Sequence, residues 1–247
     1  MDLSEINIRE KEFHNELHTL NKKRFENKFY KAAYNLYEDF FDVLKTKVRF
    51  KDVLEYGCGT GNFAEQVSSF KPKKLVAIDI SEEAIKKAKS EKKSEENKID
   101  YRVENCENSN LSSDAFDIIY GLGILHHLNL NKSLKELNRM LKKEGIMLFA
   151  EPMATNPIVN IYRKFTPKAR SADEHPLAFQ DIKLIESMFK NVEAKYYGFL
   201  TLIFFPFYKS PENSKLFRLI SGIDRMILKT KYLRFLAWSV LIKAEKN

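Results

Sequence analysis

The stretch Val53-Leu54-Glu55-Tyr56-Gly57-Cys58-Gly59-Thr60-Gly61-Asn62 limits what this chain can fold into more than any other. Apolar residues run into an acid, three glycines follow at alternate positions, and helix-forming sequence resumes at Phe63. That order predicts a buried strand, a tight turn and a helix N-terminus. Glycine suits such a turn, because without a Cβ it reaches unusual φ values and lets a ligand approach the backbone. The helix start adds unpaired N–H groups and partial positive charge, which favour an anionic or electron-rich group.

A second apolar run, Leu75-Val76-Ala77-Ile78-Asp79-Ile80, also ends at an acid. A carboxylate at the tip of a second strand can accept hydrogen bonds from both ribose hydroxyls of a nucleoside. The glycine spacing is Gly-x-Gly-x-Gly, whereas the dinucleotide fingerprint is Gly-x-Gly-x-x-Gly, which counts against a dehydrogenase. The pattern then alternates. Ser81 caps a helix running to about Ser90, Ile99–Val103 is a third strand, and Phe116–Tyr120 a fourth. A helix is expected to begin near Ile124, another over Asn131–Lys143 with Gly145 as its stop, and a fifth strand over Ile146–Ala150. Such alternation predicts a parallel sheet covered on both faces.

Glu55 to Gly61, Asp79, Phe116-Asp117-Ile118-Ile119-Tyr120 and Leu125-His126-His127-Leu128 together resemble the class I S-adenosylmethionine-dependent methyltransferases. The similarity is greatest to the small-molecule group that includes ubiquinone- and menaquinone-biosynthesis-type enzymes, and it spans residues 50 to 152. It implies an α/β, Rossmann-like, doubly wound seven-stranded sheet, mostly parallel, with an antiparallel last strand over Ala237–Ala244 beside the fifth. One domain is expected over 1–247: a helical lid at 1–47, a cofactor-binding core at 48–152, substrate-side insertions at 153–180 and 199–236, and the rest of the core at 181–198 and 237–247.

The resemblance also implies site residues and S-adenosyl-L-methionine as cofactor. Glu55 would lie near the donor's amino group, with Gly57, Cys58 and Gly59 against its methionine portion. Asp79 would take the ribose, Ile80 would pack on the adenine, and Asn105-Cys106 would read the adenine edge. The family commonly has an acid where Asn105 stands; its amide oxygen can accept the same hydrogen bond without charge assistance. Gly121-Leu122-Gly123 after the fourth strand would let backbone approach the methyl donor. An O-methylation gains from a general base, for which His127, His126 and Glu151 are the candidates, placed where ligands of open α/β sheets collect.

Residues 10–47 read as two helices, one with Phe13, Leu17 and Leu20 on a face, the other with Phe29, Ala33, Leu36, Tyr37, Phe40, Phe41 and Leu44. These aromatics serve either the core or a lid, on which His14 is the polar residue to watch. The proline-punctuated stretch 153–180 leaves the end of a strand and should overhang the site, with Tyr162, Arg163, Arg170 and His175 as candidate substrate contacts beside His14. Arginines hold a phosphate or carboxylate in a fork that lysine cannot match. Helix 180–189 and strand 192–197 lead to the apolar run Phe199–Tyr208. That run either packs under a helix at 213–229, lines an apolar pocket, or touches a membrane surface or a second subunit.

Composition narrows the partners. With 44% hydrophobic and 31% charged residues, the chain reads as globular, and Cys58 and Cys106 imply no disulfide framework. The polar N-terminus lacks the apolar core of a signal peptide and no run is long enough to span a bilayer, so the cytoplasm is the expected compartment. The net charge of +8 is spread along helices beside glutamates, so a nucleic-acid partner is not expected. The Asn/Asp-Pro-Pro-Tyr/Phe run of amino-methylating nucleic-acid enzymes is missing after the fourth strand, where Tyr120-Gly121-Leu122-Gly123 stands. His126 and His127 are adjacent rather than at ligand spacing, so no metal is expected. The expected activity is O-methylation of a polar or anionic small molecule, such as a sugar or phosphate-bearing compound, by a monomer or homodimer. The alternatives are methylation of a lipid-like quinone precursor with peripheral membrane contact, a nicotinamide-dependent oxidoreductase, and an RNA-binding protein.

Overall fold

The computed structural model describes residues 3–19, 28–91, 98–166, 171, 173–208 and 210–247. Leu20 and Arg170, and the side chains of Leu17 and Phe29, lie outside them. In chain order the elements are α1 (Glu5–Thr19), α2 (Tyr34–Lys47), β1 (Asp52–Tyr56), α3 (Asn62–Ser68), β2 (Lys74–Asp79), α4 (Glu82–Ser90), β3 (Ile99–Val103), β4 (Phe116–Leu122), α5 (Leu130–Met140) and β5 (Leu141–Pro152). They continue with α6 (Pro157–Phe165), α7 (Phe179–Met188), β6 (Lys190–Tyr197), α8 (Leu200–Ile203), α9 (Lys215–Lys229) and β7 (Ser239–Glu245).

Among the described residues seven strands form one sheet in the order β3-β2-β1-β4-β5-β7-β6. β1 to β5 pair in parallel, whereas β7 runs antiparallel between β5 and β6. The expected fold therefore holds, including the antiparallel strand beside the fifth. Strand side chains alternate between two cores, as a period of two requires. Leu54, Tyr56, Val76, Ile78 and Ile119 face a core shared with Leu134 and Leu137 of α5 and Ile185 of α7. Val53, Leu75, Ala77, Ile118 and Tyr120 face the other, shared with Leu36, Phe40 and Leu44 of α2 and Val67 of α3. The strand order reverses between β1 and β4, so their carboxyl ends open the crevice where doubly wound sheets bind ligands.

Three boundaries differ from expectation. Helix α5 stops at Met140 and the strand begins at Leu141, because Leu141 pairs with Phe116. Gly145 thus lies inside β5, not at a helix end. A Cβ there would come within 2.8 Å of the Lys142 carbonyl and 3.1 Å of the Phe116 carbonyl, so glycine is required by close backbone approach at an irregular register. Strand β4 continues through Gly121 and Leu122, since β5 runs on to pair with both. The segment from Ile124 forms only a short 3-10 turn, Leu125–His127, before α5.

The apolar run 199–208 folds as α8 and a 3-10 turn over Phe205–Phe207, and packs on α9. Buried Asp224 of α9 holds it there, accepting from the backbone N–H groups of Phe199, Leu200 and Thr201 and from the Thr201 hydroxyl.

Candidate active site

The turn after β1 has the backbone its glycines allow. Gly57, Gly59 and Gly61 all adopt positive φ, of 76°, 51° and 79°. The Gly57 and Cys58 N–H groups both donate to the Ile78 carbonyl, which ties the turn to the end of β2. Asp79 completes the tie: one carboxylate oxygen accepts from the Gly59 N–H at 2.8 Å, the other from the Ser81 N–H at 2.9 Å. Each oxygen keeps a second lone pair for a further donor. Ile80, the next residue, is half-buried.

Glu55 lies at the end of β1, 3% exposed. Among the described residues its Oε2 has no hydrogen-bond partner. Burial, with the nearby charge of Asp79, pushes this carboxyl up to about 8 against the Tyr120 hydroxyl and the Ala64 N–H, which favour the charged form. A buried carboxylate oxygen without a donor is costly, and such a group accepts a cationic donor readily. Cys58 and Cys106 are buried and unpaired, and burial pushes both thiols upward. The Cys106 carbonyl accepts from the Tyr56 hydroxyl. Asn105 Oδ1, the atom expected to face a ligand edge, accepts from the Glu107 N–H at 2.9 Å. Gly121 is enclosed inside the sheet: a Cβ would meet Phe149, Ile124 and the Tyr56 carbonyl within 2.8 Å. Close packing therefore accounts for this glycine.

On the β4 side, the rings of His126 and His127 lie with centroids 4.1 Å apart, their planes tilted by 39°. Glu151, at the end of β5, organises this turn. Its Oε1 accepts from the N–H groups of Ile124 and Leu125 at 2.9 and 2.8 Å, and its Oε2 lies 2.7 Å from His126 Nδ1. Glu151 is 1% exposed, and burial pushes it up to about 7 against those donors. Both of its oxygens are thus engaged within the turn. His126 Nε2 lies 3.8 Å from Glu174, and the His126 carbonyl accepts from the His175 N–H.

Helix α1 closes over these groups. Glu10 Oε2 lies 3.1 Å from His127 Nδ1 and 3.6 Å from His14 Nε2. Burial would raise Glu10, but His127, His14 and Ser171 together hold it below the ordinary carboxylate range. Burial and the adjacent His126 push His127 down to about 4. Glu10, His14 and His127 offer three ligand atoms within 4.8 Å of one another, a set chemically able to hold a divalent ion. Farther along α1, Asn7 donates to Glu107 and receives from Asn105, and Asn15 accepts from Ser81. Arg9 forms a two-pronged ion pair with Asp173 at 2.8 and 2.9 Å.

The substrate-side candidates divide. The His14 ring packs edge-on against His127, whereas His175 reaches the turn through its backbone N–H and its side chain is exposed. Arg163 donates to the Met153 carbonyl and to Asn160, within its own insertion, and Tyr162 is 40% exposed on the same helix. Asn7, Glu10, Glu107 and Glu174 stand in this cluster without a motif that marks them in the sequence. For Glu10 a signal was present, because Glu10 and His14 stand four apart and share a helix face.

Residues 54–149 match the methyltransferase-domain family. The chain carries a methyltransferase domain. This domain is 35% identical over 99 residues to the ubiquinone biosynthesis O-methyltransferase of Pelagibacter ubique, covering 40% of each chain. An uncharacterised protein of Methanocaldococcus jannaschii is 31% identical over 154 residues, 62% of this chain and 52% of that one. The chain thus spans about half the length or less of these curated relatives. Among solved structures, the N-methyltransferase NodS of Bradyrhizobium japonicum, in complex with S-adenosyl-L-homocysteine, superposes with a TM-score of 0.57 at 15% identity. That alignment covers 92% of this chain and 90% of NodS, a likeness of fold for the methyltransferase domain and its flanking elements.

Proposed function

We propose that this protein transfers a methyl group from S-adenosyl-L-methionine to the hydroxyl of a small polar molecule. The observation that carries the reading is the buried, partnerless Oε2 of Glu55 beside a glycine turn and an Asp79-tipped strand. These residues fit the donor. Glu55 would hold its ammonium, Gly57 to Gly59 would line its methionine portion, and Asp79 would take the ribose hydroxyls on its remaining lone pairs. When bound, the sulfonium supplies an already activated methyl group. The protein's part is therefore alignment, exclusion of water and proton removal.

For proton removal the geometry favours His126. Glu151 at Nδ1 fixes the ring and stabilises the imidazolium formed when Nε2 takes the acceptor's proton, the logic of a carboxylate-backed base. His127, held against Glu10, faces the lid. A cavity of about 340 Å³ between α1 and the insertion after β5 is lined by Arg9, Glu10, Glu12, Phe13, Glu16, Ser171 and Asp173. Its carboxylates outnumber its single guanidinium, which Asp173 already pairs. Glu10 ties this lining to His127, and a neutral polar molecule such as a sugar suits it better than a phosphate. The Pelagibacter ubique relative's name supports a second reading, a lipid-like quinone precursor.

The test is calorimetric titration with S-adenosyl-L-homocysteine and with NAD, followed by a radiolabelled-methyl assay on glycan, water-soluble and lipid fractions. Binding of S-adenosyl-L-homocysteine and label in the glycan or water-soluble fraction are expected. Binding of NAD alone would overturn the reading, and label confined to lipids would replace the acceptor.

A further inference from the structure

Helix α9 has more apolar surface than its packing uses. Phe217, Ile220 and Leu228 are buried on one face, together with Asp224. Leu216, Leu219, Ile223 and Met226 are 41%, 64%, 41% and 74% exposed. At about 100° per residue these four fall within an arc of about 80°, adjoining the core-facing arc on one side. On the other side the same count places Lys215, Arg218 and Lys229, all exposed. A helix that only covers a core needs one apolar stripe. α9 has two, and the outer one is bordered by cations.

The flanks continue the pattern. Phe207, in the turn that precedes α9, is 73% exposed, and Tyr232, just after it, 84%. Residues 210–236 hold six lysines and arginines against Glu212 and Asp224, and Asp224 is buried as the cap of α8. An apolar stripe bordered by cations, with aromatics at its ends, is the layout of a helix lying in a membrane interface. At fifteen residues α9 is too short to cross a bilayer, and no helix among the described residues is long and apolar enough to do so.

We infer that α9 lies along an anionic lipid surface, with Leu216, Leu219, Ile223 and Met226 entering the headgroup layer and Lys215, Arg218 and Lys229 above it. Charge decides the occupant. A second copy docked isologously would set these cationic borders against each other. Anionic headgroups neutralise them.

The full chain is floated with vesicles of phosphatidylcholine alone or mixed with phosphatidylglycerol, without methyl donor, so the outcome is independent of the proposed reaction. Binding to the anionic vesicles, weakened by salt, is expected. Leu219→Glu with Met226→Glu should reduce it at least tenfold while melting temperature and S-adenosyl-L-homocysteine affinity stay unchanged. Lys215→Ala and Lys229→Ala should each weaken it about fivefold, the effect of one cation near such a surface. Failure to bind either vesicle at low ionic strength overturns the inference. So does a dimer in analytical ultracentrifugation that the double glutamate variant dissolves without any lipid binding.

Discussion

Glu151 Oε2 lies 2.7 Å from Nδ1 of His126, while Oε1 of the same carboxylate holds two backbone N–H groups of the turn that presents the ring. One buried side chain thus sets both where the histidine stands and which nitrogen is turned towards Glu174. Glu151→Gln keeps the volume but offers an amide N–H to Nδ1, which selects the opposite tautomer. The turnover number should fall about a hundredfold, the usual scale for a misdirected general base. S-adenosyl-L-homocysteine affinity should hold, and the acid limb of the pH–rate profile should move. Equal losses in affinity and turnover would mean that Glu151 only supports the fold.

Glu55 links cofactor binding to pH. Its folded value of about 8 means it is mostly protonated at neutrality, whereas holding an ammonium requires the carboxylate. Binding should release a proton, so affinity should rise about tenfold per pH unit from 6 towards 8. Calorimetry in buffers of different ionisation enthalpy measures the proton directly. Glu55→Gln should bind weakly and without pH dependence; a wild-type affinity flat over this range would remove Glu55 from the site.

The same group affects stability with the opposite slope. Without ligand, folded Glu55 keeps its proton above the ordinary carboxylate value near 4.5, where the unfolded chain has lost it. Its contribution is therefore full below about 4.5 and is lost as pH rises through about 8. His127, pushed down to about 4, acts differently: between about 4 and 6.5 the unfolded chain binds the extra proton, so stability rises with pH there. Denaturant titrations of wild type, Glu55→Gln and His127→Asn across pH 4 to 9 should resolve the two slopes, each variant losing only its own.

Gly57→Ala should fail for two separable reasons. The backbone holds φ at +76°, and a Cβ would come within 2.5 Å of the Ile124 side chain. The conformational part costs about 1–3 kcal/mol. Thermal melts should show a lower transition, and adding Ile124→Ala should relieve the contact but not the backbone penalty. A fully restored melting temperature in the double variant would show that the left-handed geometry carries no strain.

Arg9 and Asp173 join α1 to the insertion after β5 across 164 positions of chain. Arg9 is half-exposed, so its loss should leave the melting temperature essentially unchanged. Its effect should appear in lid closure: Arg9→Ala should raise KM about threefold and reduce the salt dependence of KM. An unchanged KM at low salt would show that the pair does not hold the lid.

Much of the architecture was legible because it rests on local pattern. Continuous apolar runs ending at Glu55 and Asp79, the Ser81 cap and the amphipathic α5 each satisfy a requirement of their own segment. The errors came where a neighbour decided. Leu141 is strand because Phe116 lies beside it, and Gly145 is glycine because two carbonyls crowd it, neither of which is visible from within the segment. Likewise the partners of Arg163 on the protein itself, the Met153 carbonyl and Asn160, were not legible in its own segment.

Residue order alone was enough for the sheet, its nucleoside-type crevice and the presence of histidines at its mouth, since short-range sterics and hydrophobic periodicity specify them. Folding in three dimensions assigned the partners: Glu151 to His126, Glu10 to His127, Asp224 to the N–H groups of α8. Hydrogen bonds and ion pairs act over about 3 Å, and these groups meet only after 25, 117 and 24 positions of intervening chain have been folded back.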